Sequence, residues 1–450
     1  MKTLERQLAD YGERQRELHG PISPDELTVT LGQSDQKAPL PPHRRRGLWI
    51  AVTSAAATLV VFGLIPLLVN TDVPSSVADI VATTPSVATT TPSSVRSSTI
   101  PNDQRVGREA GQLMFGAAVG GPGLVAVGST GGWFGDGDAA VWTSVDGITW
   151  TRVPHDEAVF GGANPQAMSD VAVADFGLVA VGWEGRILAD IPDVDAAVWT
   201  SVDGITWSRV PRNEEVFGGA WITSVTVGGP GLVAVGGTDG YFTDGDAVVW
   251  TSVDGITWSR VPHDENVFGG AGSQVINDVT VGGPGLVAVG NDGGIGPWDN
   301  NADTNAAVWT SVDGITWSRV PHDETVFGTG GNPSMLAVTV GGPGLVAVGA
   351  DYLPSEAETP VWTSPDGITW TRVPNDVGVF GGGAWIGSVT EGGPGLIAIG
   401  GMYGSGNKDV VWASVDGITW SRVPDDDALF GSRVFREIDG GLVAVGEEIG

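Results

Sequence analysis

From about residue 113 onward, apolar residues arrive in short runs separated by Gly, Pro or Asp-Gly. Residues 224–262 show the pattern: SVTV, LVAV, VVWTSV and ITWSRV, each bounded by turn residues. The runs have strand length and carry no 3.6-residue periodicity, so they predict four β-strands and leave no room for a helix. LVAV is apolar on both faces, which predicts a strand covered on both sides. The phrase VW(T/A)S-x-DGITW-x-RVP recurs six times and places Asp146, Asp203, Asp254, Asp313, Asp366 and Asp416 at intervals of 57, 51, 59, 53 and 50 residues. The run G-L-(V/I)-A-(V/I)-G begins at Gly123, Gly177, Gly231, Gly285, Gly344, Gly395 and Gly441, seven starts against six Asp-Gly motifs. Four strands per unit at this period predict an all-β chain, a β-propeller of four-stranded blades with six complete units and a partial seventh. A seven-bladed ring with a thin last blade is favoured over a six-bladed ring with a surplus hairpin, because closure without exposed edges uses every LVAV strand.

Asp-Gly between the third and fourth strands is a strong signal for a two-residue type I′ hairpin. That turn would set Val145 opposite Ile148, Ser144 opposite Thr149 and Thr143 opposite Trp150. Period-2 alternation would then send Trp142 and Trp150 to opposite faces of the blade, one toward each neighbour. Twelve of the 18 tryptophans occupy these two positions, which reads as packing between blades.

Ser144, Asp146, Gly147, Thr149 and Trp150, with their five counterparts, resemble the Asp-box, or bacterial neuraminidase repeat. The resemblance spans roughly residues 113–446. The family spacing is S-x-D-x-G-x-T-W, and every copy here lacks the residue between Asp and Gly. The resemblance implies a propeller in which the box is a structural turn remote from any active site. A sialidase of that family would show an arginine triad, a Tyr nucleophile paired with Glu and an F/Y-R-I-P motif. Here Arg152, Arg209, Arg260, Arg319, Arg372 and Arg422 are repeat-equivalent and cannot converge on one ligand, and Phe435-Arg436-Glu437 is only an echo of the motif.

Functional variation falls between the second and third strands. Those loops carry Trp133, Trp183, Tyr241, Trp298, Tyr352 and Tyr403, most of them beside carboxylates and amides. Variable loops on a rigid scaffold are where binding concentrates, and such rings suit stacking on a sugar or on a cationic group; capping of the blade edges is the competing reading. Asp136 and Asp138, and Asp244 and Asp246, supply hard oxygens of the type Ca²⁺ takes, without completing an EF-hand pattern. His155, His263 and His322 share one repeat position, PHDE, which reads as exposed loop. With no cysteine in the chain, thiol catalysis, thiolate metal sites and disulfides are excluded.

Ahead of the repeats, residues 47–69 form 23 uncharged residues, long enough to cross a bilayer core. Arg44, Arg45 and Arg46 precede them, which predicts a signal anchor with residues 1–46 in the cytoplasm and the rest outside. Residues 70–105, rich in Thr, Ser and Pro, read as a stalk, and residues 106–450 as an extracellular propeller. Beyond the anchor stand 14 basic and 46 acidic groups, which argues against nucleic acid or anionic lipid as partner. The function this predicts is a non-enzymatic cell-surface binding module for glycan, cell-wall material or a protein partner. The alternatives are a sialidase-like glycoside hydrolase and a transmembrane sensor signalling through residues 1–46.

Overall fold

A computed structural model describes residues 112–130, 137–147, 149–186, 193–238, 245–293, 304–328, 331–351, 358–392, 395–402, 409–423, 435–438 and 441–444. They form six four-stranded antiparallel meanders, each with its strands in sequence order: blade 1 (113–152), blade 2 (166–209), blade 3 (220–260), blade 4 (274–319), blade 5 (333–372) and blade 6 (384–422). Successive blades meet chiefly through their first strands, so these are innermost and the sheets radiate outward as a six-bladed propeller. A short hairpin, Phe435–Ile438 with Gly441–Ala444, lies against the first strands of blades 6 and 1. Among the described residues no helix is long and apolar enough to cross a membrane; residues 1–105, with the predicted anchor and stalk, lie outside them.

The LVAV strands are sheltered on both faces, as their composition predicts: Val233, Ala234 and Val235 are fully buried, as are their counterparts in blades 1, 2, 4 and 5. Their closing glycine has a steric cause. Every first strand has a bulge, as at Met168/Asp170 and Ile276/Asp278, that brings its backbone over the second strand. A Cβ on Gly182 or Gly290 would collide with the carbonyl of Ala167 or Val275.

The third-to-fourth-strand turn differs from the two-residue hairpin predicted above. Ser201 pairs with Trp207, which leaves the five residues 202–206 in the loop. The cause is the aspartate side chain. Asp203 Oδ1 accepts the N–H groups of Ile205 at 2.9 Å and Thr206 at 2.6 Å, while Oδ2 accepts the Thr206 hydroxyl at 3.1 Å. Ser201 Oγ accepts from Gly204 N at 2.8 Å. Side chains thus satisfy backbone groups that a tight turn would pair across the strands. Those N–H bonds, Thr206 first, hold the Asp203 carboxyl below its ordinary pKa, and Asp254, Asp313 and Asp416 are held down in the same way.

The altered register moves the fourth strand by one residue relative to the third, and an odd shift exchanges faces. Both tryptophans of a blade therefore lie on one face, toward the preceding blade, and not one on each. Trp199 and Trp207 of blade 2 share a cluster with Val125, Val127, Val141 and Phe160 of blade 1. Each inner indole also reaches back: Trp199 Nε1 donates to Val159 O at 2.7 Å, Trp250 to Val216 O at 2.7 Å, Trp309 to Val267 O at 2.6 Å, Trp362 to Val326 O at 2.8 Å and Trp412 to Val379 O at 3.2 Å. The acceptors sit in the links between blades, three of which coil into single helical turns, Glu214–Phe217, Glu324–Phe327 and Val377–Phe380, capped by Asn213, Asp323 and Asp376. The sequence patterning had left no room for helix there; one turn, stapled by a buried Phe, needs only four residues.

Candidate binding face

A meander propeller has two rims. One carries the GGPG and DG turns, the other the second-to-third-strand loops and the links between blades. The glycines of the turn rim are committed to packing between blades: a Cβ on Gly121 would stand 2.6 Å from Asp203 O, and one on Gly314 2.8 Å from Val233. The GGPG turn of one blade thus seats the DG turn of the next, or in blades 3 to 4 receives it the same way, and the glycine at φ 76 in the DG turn of blade 4 has neither the backbone freedom nor the room for a side chain.

On the loop rim, five of the six aromatic candidates, Trp133, Tyr241, Trp298, Tyr352 and Tyr403, lie outside the described residues, as do Asp136 and Asp244. Trp183 is half-buried and packs on Val194, Trp221 and Val275, a cluster drawn from blades 2, 3 and 4. It caps a blade junction while keeping part of its ring accessible.

The outer-strand arginines turn inward onto their own blades. Arg209 stacks over Trp199 at 5.4 Å, donates to Gln166 Oε1 at 3.0 Å and pairs with Glu184. Arg319 stacks over Trp309 at 5.4 Å and pairs with Asp292; Arg372 lies 5.7 Å over Trp362 and 3.1 Å from Glu358. Each guanidinium bridges the outer two strands to the loop rim of one blade.

Asp138 and Asp246 stand at the start of their third strands, each beside the histidine of its own blade. His155 Nε2 is 3.7 Å from Asp138 Oδ2 and 3.2 Å from Glu157 Oε2; His263 Nε2 is 3.6 Å from Asp246 Oδ2 and 3.2 Å from Glu265 Oε2. In blade 2 the same three positions hold Asp195, Arg212 and Glu214, with Arg212 paired to both carboxylates, at 2.8 Å for Glu214. Burial raises the pKa of Asp195. In blade 4, His322 lies 3.1 Å from Glu324, and Asn305 replaces the strand carboxylate. The pairing of Asp with His was illegible in sequence because the partners are 17 residues apart; the signal, once the blades are aligned, is an Asp four before the third-strand Trp together with a His or Arg after the RVP proline in blades 1 to 3.

A second acidic feature lies between the rims, on the innermost strands. Just after the bulge, blades 2, 3 and 4 carry Asp170, Ser224 and Asp278. Ser224 Oγ is 3.0 Å from Asp170 Oδ2 and 2.8 Å from Asp278 Oδ1. Asp170 also accepts from Val225 N of blade 3 at 3.0 Å, and Asp278 from Val338 N of blade 5 at 2.8 Å, so each carboxylate clamps a neighbouring blade. Burial, opposed by the Val338 bond and reinforced by the Asp170 charge, raises Asp278 to about 6. One serine proton cannot serve two carboxylates, and a proton on Asp278 completes the chain from Asp278 to Ser224 to Asp170. The sequence signal was a lone Asp amid the apolar positions of a sheltered strand.

No protein-family model matches the chain, and no curated protein matches its sequence. Similar solved structures include YjhT, at 12% identity and TM-score 0.42 over 71% of this chain and 100% of that one. A lectin of Aleuria aurantia in complex with Fucα1-6GlcNAc aligns at 10% identity and TM-score 0.37, over 69% and 94%. Sqt1 from Chaetomium thermophilum aligns at 11% identity and TM-score 0.36, over 69% and 72%. Likeness at this level carries no argument about what this chain binds.

Proposed function

We propose that the protein is a membrane-anchored, non-enzymatic β-propeller that presents its loop rim to a polar ligand at the cell surface, most naturally a glycan or cell-wall polymer. The observation that carries this reading is the division of labour between the rims. The turn rim commits its glycines to the neighbouring blades and its aspartates to its own loops, whereas the second-to-third-strand loops of the other rim differ from blade to blade and the links beside them expose carboxylates and imidazoles. Hydroxyl-rich ligands suit such a surface, since carboxylates accept their hydrogen bonds and the loop aromatics offer faces for stacking. The inward-turned arginines support a binding role over a sialidase-type site, because each is held by its own blade. The Asp-box resemblance accords with turns that serve the scaffold.

The test uses the full-length protein in detergent micelles against a panel of polysaccharides and cell-wall preparations. Saturable binding that weakens at least ~10-fold when Trp133, Trp183 and Trp298 are changed to Ala, and not when Val253 on the turn rim is changed to Ala, supports the reading. Binding that follows the turn-rim variant, or turnover of fluorogenic glycosides, overturns it. Protease added to intact cells should remove the repeats and spare residues 1–46.

A further inference from the structure

We propose that blades 1 and 3 each bind a borderline first-row transition ion such as Zn²⁺, through Asp138, His155 and Glu157 in one blade and Asp246, His263 and Glu265 in the other. This assignment is independent of the glycan reading. In each trio one nitrogen and two carboxylate oxygens lie within 4.8 Å of one another. The separations from nitrogen to oxygen, 3.2 and 3.7 Å in blade 1 and 3.2 and 3.6 Å in blade 3, bracket the ~3.3 Å between neighbouring donors around a tetrahedral ion with bonds of ~2.0–2.1 Å. Both trios are open to solvent, which leaves the fourth position to water. Imidazole with two carboxylates selects zinc or its neighbours over Ca²⁺, which prefers six or more oxygens.

Three further observations separate these trios from a chance surface cluster. First, the backbone that carries the aspartate and the link that carries the histidine are held together. Asp138 N donates to Thr130 Oγ1 at 3.0 Å while Thr130 N donates to Asp138 O at 3.0 Å, and Asp246 and Thr238 repeat the arrangement at 2.8 and 2.9 Å. Ala139 N and Ala247 N donate to Phe160 O and Phe268 O, each at 3.0 Å, tying the strand to the link that bears the histidine. The imidazoles rest near those phenylalanines, at ring distances of 6.4 and 6.5 Å. Second, blade 2 shows that the position is built for positive charge, because Arg212 fills it between Asp195 and Glu214. Third, blade 4 supplies an incomplete version: His322 and Glu324 are present and close, but Asn305 stands where the strand carboxylate would be. The amide of Asn305 offers only a neutral carbonyl oxygen, a weaker donor to such an ion than the carboxylate it replaces.

The experiment is a Zn²⁺ titration of the untagged, full-length, metal-stripped protein in detergent, read by competition with a chromophoric chelator. The expected stoichiometry is two ions per chain, falling to one in His155→Gln and to none in His155→Gln/His263→Gln. The variant Asn305→Asp should gain a third. Co²⁺ in place of Zn²⁺ should give visible absorption bands that the double variant lacks, and excess Ca²⁺ should not remove them. Tryptophan emission checks that each variant is folded; where the double variant is not, the gain in Asn305→Asp decides. Absence of saturable uptake in the parent, or uptake unchanged by the double variant and by Asn305→Asp, overturns the proposal. So does a protein in which the clusters take up only protons.

Discussion

The two rims of this propeller are made by the same six blades, yet one is written almost identically six times and the other six different ways. The difference teaches what each rim is for. On the turn rim a residue answers to a neighbouring blade or to its own loop: a Cβ on Gly314 would stand 2.8 Å from Val233 and 3.2 Å from Pro230 of the preceding blade, and Asp313 accepts from Ile315 at 2.9 Å and Thr316 at 2.7 Å. On the loop rim one position, four before the third-strand Trp, holds Asp, Asn, Glu or Lys in different blades. One part of the turn rim departs from this rule. The valine of S-V-D-G is 67–82% exposed in blades 1 to 4 and 6, where blade 5 has Pro365, and the isoleucine of D-G-I-T is 51–59% exposed in blades 2 to 6.

The comparison breaks most severely if the tryptophans are not what binds blade to blade. Trp309→Ala removes a fully buried indole and its bond to Val267 O, and should cost about 3–5 kcal/mol in chemical denaturation; a loss under ~1 kcal/mol would mean that the blades hold together by other contacts. The inner strands give an effect of intermediate size. Asp278 is raised from 3.8 to about 6, so the folded state keeps a proton that the unfolded chain releases. Its stabilising contribution is full below pH 3.8 and is lost as pH rises through about 6, by at most about 3 kcal/mol. The turn carboxylates have the opposite sign: with depressed pKa values, they stabilise above the ordinary carboxylate range and cease to do so as pH falls. Stability measured from pH 3 to 8 should therefore peak on the acid side of neutrality, and Asp278→Asn should flatten the decline between pH 4 and 6. The smallest effects sharpen the contrast between the rims. Asp313→Ala, which leaves the Ile315 and Thr316 N–H groups without their side-chain acceptor, should lower the denaturation midpoint measurably, while Glu324→Gln on the loop rim should leave it nearly unchanged. Equal costs would erase the distinction.

The strands, their grouping in fours and the sheltering of LVAV were legible because they rest on local composition and period. The turn was misread for a local reason too: Asp-Gly was weighed as backbone geometry alone, whereas the Asp carboxylate and Ser hydroxyl stabilise a five-residue loop. That single register difference puts the fourth-strand tryptophan on the same face as its third-strand partner and not on the opposite one, since alternation propagates the shift along the strand. The loop rim was legible only as a list of residue types. Neither the His155 to Asp138 proximity nor the chain through Asp170, Ser224 and Asp278 follows from spacing, because each depends on which strands and blades become neighbours.

The indole bonds between blades all run one way along the chain. Trp199, Trp250, Trp309, Trp362 and Trp412 each take an acceptor that lies 33 to 42 residues earlier in the sequence. A chain leaving the ribosome therefore presents each new blade with a docking surface already synthesised, and assembly can follow translation without waiting for what comes next. Trp142, in the first of the described blades, is the exception among the third-strand tryptophans: its Nε1 is buried without a partner among the described residues.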